Sequence, residues 1–360
     1  MGGRVTFMTG MRQTFARWAG RYWLAALGVL GLAGLVIAVN PVSLGRVLGH
    51  ASLADLALML PVVVAIYVSR GLGWWVTLRR FGLHLGPVRA VWVLMAAKPV
   101  VFLPLGDLGR VAVLEVTADA EGHDVGELTG TVAFQELMYL TLTGLILIPG
   151  MLRIPGLGAI VGLLLLLQIL IFAVLFWQPA YDWAVDLVER IKVLQRYDCQ
   201  LRHIRYAFIQ LWDFKTFLAT LFFNSIGVGL AFFLFQLSLH AVGAVNVGFA
   251  DAGLVYALAT ILAGFSFLPG SLGAYEGIIT FVLALLGVSP ARAAAAALIF
   301  RGYNDLLMAL IGFGLLVPLR GRLARGQTLK MRLQDCADRP AVVLKLPTPQ
   351  EQTVSTAGRR

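Results

Sequence analysis

Seven ionisable side chains sit in stretches that are otherwise almost wholly apolar: Lys98, Asp107, Arg110, Glu136, Glu276, Arg301 and Asp305. Charges at bilayer depth are costly and face a cavity or a partner, so these residues are the candidates for chemistry. Asp107 and Arg110 are three apart and meet if their turn is helical, while Arg301 and Asp305, four apart, share one helix face. Glu136 stands beside Gln135 inside an apolar run, Lys98 just precedes Pro99, and Glu276 follows a Gly-rich break. Two guanidiniums, one ammonium and several carboxylates suit a zwitterionic or anionic lipid headgroup. Guanidinium grips phosphate bidentately, and a carboxylate meets an amine or balances the cavity. Plainer readings stand beside this one. Arg301–Asp305 would be a self-neutralising pair that lets a helix insert, Glu136 an interhelical carboxylate, and Lys98 a side chain snorkelling to the headgroups.

Two of these groups follow segments that look like copies. Phe102-Leu-Pro-Leu-Gly-Asp-Leu-Gly-Arg110 and Phe267-Leu-Pro-Gly-Ser-Leu-Gly-Ala-Tyr-Glu276 both begin Phe-Leu-Pro and soon reach Leu-Gly. Their backbone breaks are Pro104, Gly106 and Gly109 in the first and Pro269, Gly270 and Gly273 in the second. A break of this kind frees backbone N–H groups and makes room for a polar ligand. Gly/Pro-interrupted apolar segments in corresponding positions of two halves point to a transport site.

The elements that must hold these groups are membrane helices. Hydrophobic residues make up 59% of the chain and charged residues 13%, and the mean hydropathy is +0.82; a soluble domain lies far from this balance. Apolar runs long enough to cross about 30 Å of hydrocarbon fall near residues 22–39, 55–78, 128–149, 157–178, 215–240 and 291–318. Weaker segments at 88–105 with 108–120, and at 252–268 with 273–288, surround the two breaks. Lipid leaves backbone groups no outside partner, so the expected fold is all-α: a polytopic helical bundle with two re-entrant helix pairs in an inverted repeat. Full crossings by both members of each pair satisfy the same parity.

Arg and Lys cluster before the first span, after the second, near 179–214 and after the last, whereas 40–54, 150–156 and 241–251 hold almost none. The positive-inside rule then places both termini in the cytoplasm, in a bacterial-type cytoplasmic (inner) membrane. The expected organisation is a basic tail at 1–20, one membrane domain at 21–320, and a basic, disordered tail at 321–360. Residues 22–39 lack a small-residue cleavage site and read as a retained span. Between spans, 180–196 places Trp183, Leu187, Ile191 and Leu194 on one face, as in an interfacial helix; an extension of the preceding span is the alternative.

Several function classes recede. The net charge of +10 is accounted for by orientation and by attraction to anionic lipid, so no nucleic-acid partner is expected. Cys199 and Cys336, on the expected cytoplasmic side, form neither a disulfide framework nor a metal site, and His50, His84, His123, His203 and His240 are scattered. No P-loop or Gly-x-Ser-x-Gly elbow occurs, so neither a cofactor nor an enzyme is expected.

The second half, from Phe267-Leu-Pro-Gly-Ser-Leu-Gly-Ala-Tyr-Glu276-Gly through Gly287-Val-Ser to Phe300-Arg301-Gly-Tyr303, resembles the transmembrane region of lysylphosphatidylglycerol synthase and its stand-alone relatives. Gly106-Asp107-Leu108-Gly109-Arg110 is similar to an earlier segment of that family. The resemblance implies a module with paired re-entrant helices that moves lipids between leaflets. Its partners would be membrane lipids, anionic phospholipid or isoprenoid, with a homo-oligomer or lipid-synthesis enzymes as further partners. Asn304-Asp305 depart from the apolar residues usual there, and no soluble aminoacyl-transferase domain follows. Lysyl transfer is therefore not expected. An intramembrane lipid-modifying transferase using Asp107 or Glu276, and a non-catalytic scaffold of a lipid-synthesis complex, are the alternatives.

Overall fold

The computed structural model describes residues 26–102, 106–117, 125–151, 157–190, 198–266 and 268–319. Both terminal tails, Pro104, Phe267, Ile191, Leu194 and Cys336 lie outside the described residues. The helices, in chain order, are α1 (Ala26–Ala38), α2 (Pro41–Gly49), α3 (Leu53–Arg80), α4 (Pro87–Ala97), α5 (Gly109–Thr117), α6 (Val125–Met151), α7 (Leu157–Phe176), α8 (Gln178–Glu189), α9 (Asp198–Leu211), α10 (Phe214–Ala241), α11 (Phe249–Gly264), α12 (Ala274–Leu285), α13 (Pro290–Arg301) and α14 (Met308–Leu316).

Four spans are long and apolar enough to cross a membrane: α3, α6, α10, and α13 with α14 as one helix over Pro290–Leu316. Two bent pairs raise this to six: α1 with α2, turning by 85°, and α7 with α8, turning by 98°. The chain is a polytopic helical bundle. α8 is thus a separate helix and not an extension of α7, and it exposes Trp183 and Leu187 while burying Val185.

The two weak segments break where their sequences demand it. After α4, Pro99 has no N–H to continue the ladder, and the chain tightens into a 3-10 turn over Lys98–Phe102. A second 3-10 turn, Gly106–Leu108, leads into α5. The other break runs from α11 through a turn at Pro269–Ser271 into α12, with Gly270 and Gly273 at φ 58° and 79°. Glycine enters this left-handed region without the clash of a Cβ. The two breaks meet, because Lys98–Phe102 packs against Pro269–Ser271.

Each break rests on its own buried core. Trp74, Leu78, Val93, Leu114 and Leu128 of α3 to α6 support the first. Phe235, Tyr256, Ile279 and Phe300 of α10 to α13 belong to the larger core of the second half. α14 seals the first break from behind. At Gly312 an added Cβ would stand 2.6 Å from Pro99 Cδ, so only glycine permits that approach.

Candidate functional site

Glu136 of α6 is the centre of a first cluster. Its Oε1 accepts from Arg70 of α3 at 2.6 Å and from Arg110 of α5. Arg110 also donates to Gln135 Oε1 at 2.7 Å, and Gln135 Nε2 donates back to the Arg70 carbonyl at 2.5 Å. Aromatic faces complete the cradle: Tyr139 lies 4.6 Å from the Arg70 guanidinium carbon and Trp74 lies 5.7 Å from that of Arg110. Asp107 reaches Arg110 at 3.4 Å, with its own side chain 51% exposed. The helical turn expected between Asp107 and Arg110 is therefore present, but the pair is long and open to the outside.

Asp305 is the centre of a second cluster. Lys98 Nζ lies 2.7 Å from its Oδ1, and Arg301 Nε lies 3.0 Å from its Oδ2. Arg301 also faces Glu276 at 3.4 Å and donates to the Gly270 carbonyl, an acceptor on the broken backbone. Glu276 uses its other oxygen to accept from Gly273 N at 2.8 Å and so caps α12. The segment Gly302–Leu307 is a π-helical turn within the last span, a feature frequent at functional sites. The Tyr67 hydroxyl of α3 donates to the Asn304 carbonyl in this turn at 2.8 Å, and the Tyr67 ring lies 5.5 Å from Lys98 Nζ.

The clusters adjoin through α3, where Tyr67 and Arg70 are neighbours on one face. Between them opens a narrow cleft, lined by Tyr67, Arg70, Lys98, Gly106, Asp107 and Arg110 among others. Four cations (Arg70, Lys98, Arg110, Arg301) face four carboxylates (Asp107, Glu136, Glu276, Asp305), so the formal sum is +4 − 4 = 0. Among the described residues, no group of three or more His, Cys, Asp or Glu could hold a metal ion.

All seven sequence-picked ionisable residues thus fall into these two clusters. Of the picked backbone breaks, Gly106 lines the cleft, Gly270 and Gly273 bond to the second cluster, Gly109 packs against Val100, and Pro269 is buried in the turn. Arg70, Tyr67 and Gln135 are absent from the residues picked above. The criterion that found the others, an ionisable residue inside an apolar span, points equally to Arg70. Tyr67 and Gln135 carry no signal of that kind.

With this geometry in view, comparison with known proteins matches residues 23–312 to the family described as the lysylphosphatidylglycerol synthase TM region. No curated protein matches the chain.

Proposed function

Since the chain belongs to the lysylphosphatidylglycerol synthase TM-region family, we propose that it moves a lipid, of phospholipid or isoprenoid type, between the leaflets of a membrane. The observation that carries this reading is the neutral network of eight charged groups that joins both broken segments. A charged headgroup crossing hydrocarbon loses its water, and it needs fixed charges of both signs to replace that hydration. Here each carboxylate already neutralises a cation, so a phosphate and an amine exchange for existing ion pairs instead of adding a bare charge. Asp107 is the exposed, weakly held member, and it is the group that an incoming phosphate displaces from Arg110.

The empty cleft is too narrow for a headgroup until its walls part, so movement requires the two breaks to separate. In this reading the short pairs α4–α5 and α11–α12 are re-entrant and enter from opposite sides. The protein sits in a cytoplasmic-type membrane with both termini cytoplasmic, and the lipid crosses without covalent change. Asp107 stands exposed at the mouth, with the buried cations Arg110 and Lys98 lining the cleft behind it, and these cations favour a phosphate-bearing cargo.

Reconstitution tests this. Vesicles of phosphatidylglycerol and phosphatidylcholine, with a headgroup-labelled phospholipid, are read for transfer between leaflets and for new lipid products. Arg110→Lys should slow transfer about tenfold, because an ammonium cannot reproduce the guanidinium fork, and Arg110→Gln at least as much. Product formation would mark a transferase instead. Neither transfer nor product, with lipid-synthesis enzymes still co-purifying, would mark a scaffold. Wild-type transfer by both Arg110 variants would remove the headgroup role assigned to this cleft.

A further inference from the structure

A second, wholly different cavity lies along α6. Between α6, α7 and α11 runs a narrow, half-open groove, walled by leucines and isoleucines, with Gln168 its one amide. Contacts fix how the three helices align. Tyr139 faces Tyr256 through a 2.7 Å hydroxyl bond, and a Cβ at Gly253 would meet Ile146 at 3.0 Å, so α11 runs antiparallel to α6. Gln168 Nε2 donates to Thr141 at 2.6 Å, which ties the one amide to α6.

This alignment gives the groove a direction. One end is set by Leu137, next in sequence to Glu136, and by Phe265, which terminates α11 just before the second break. The other end reaches Leu147. Leu147 lies ten residues beyond Leu137 on α6, a rise of about 15 Å. That is half of the roughly 30 Å hydrocarbon core, so the groove runs from the middle of the Val125–Ile148 span to its end. The groove opens to surrounding lipid past Leu167 and Ile171, which are partly exposed. Gly144 in its wall lets Gln168 approach closely, because an added Cβ there would stand 3.1 Å from Gln168 Oε1.

We propose that this groove is a binding site for one acyl chain of a phospholipid whose headgroup lies at the ion network. The match is that of an amphiphile. Glu136 of the ion network and Leu137 of the dry slot are neighbours on one helix, so a polar site and an apolar one begin at the same level of α6. Naming the bound molecule as cargo rests on the lipid-moving reading above; the tail site itself does not.

Photo-crosslinking decides it. The full chain is reconstituted in phosphatidylglycerol vesicles doped with a phospholipid carrying a diazirine near the end of one acyl chain, and labelled peptides are mapped. Labelling should concentrate on the groove faces of α6, α7 and α11. Gly144→Leu should lower it about tenfold, the usual scale of penalty for overpacking a filled site. Gly229→Leu, on a lipid-facing stretch of α10 with nothing within 4 Å, should leave it unchanged. Labelling spread evenly over all lipid-facing helices of the wild type overturns the proposal whether or not either variant folds. Stronger labelling by a diazirine-bearing polyprenyl phosphate also overturns it. Groove labelling in a protein that transfers no lipid would sink the transport reading alone. Transfer at the wild-type rate with the groove plugged would sink the tail site alone.

Discussion

Among single residues, Arg301 has the most to lose. Its guanidinium serves Asp305, Glu276 and the Gly270 carbonyl together, while Asp305 keeps Lys98 if Arg301 is removed. The orphan would be Glu276, only 1% exposed, left with the Gly273 N–H as its sole bond of those described. Breaking a buried pair on one side costs about 3–5 kcal/mol. Arg301→Ala should therefore lower both folded yield and thermal midpoint in detergent. Adding Glu276→Gln to that variant should recover part of the loss, since it removes the stranded charge. If the double variant is no more stable than the single one, the penalty lies in the backbone bond to Gly270 and not in the ion pair.

At the level of elements, the second break tests how tightly the first helix is docked. Gly273 sits in the left-handed region, and a Cβ there would lie 2.8 Å from the Gly28 carbonyl of α1. Gly287 has a similar φ of 83° but nothing within 4 Å. Both alanine variants pay the left-handed backbone strain of about 1–2 kcal/mol; Gly273→Ala must in addition push α1 away. Thermal melts should thus rank Gly287→Ala above Gly273→Ala, and equal midpoints would mean that α1 yields freely. This contact also marks the limit of what the sequence discloses. Span positions were legible because hydrophobic length is a local property: the runs read at 55–78, 215–240 and 291–318 lie within α3, α10 and Pro290–Leu316 to within two residues. Proline and glycine showed where the short pairs break for the same local reason. The partner of Glu136 was not legible, because Arg70 comes from a helix 66 residues away in sequence and one chain carries no record of that distance. The π turn at Gly302–Leu307 was hidden too, since no residue type demands it.

Across the whole molecule, a network whose charges sum to zero has an electrical meaning. Each elementary charge carried through the full membrane potential contributes about 2.3 kcal/mol per 100 mV. If the eight groups shift together as the breaks part, their gating charge nearly cancels, and only the cargo's own charge feels the field. Transfer of a zwitterionic phospholipid should then be flat with applied potential across vesicles, while transfer of an anionic one should slope with it. Glu136→Gln leaves the network at +1 and should impose a voltage dependence on the zwitterionic substrate as well. A steep voltage dependence of the unaltered protein on that substrate would show that the two clusters move separately. Pairing each cation of this network with an acid thus has a consequence beyond letting these helices insert: a lipid mover built this way would work alike in an energised and in a discharged membrane.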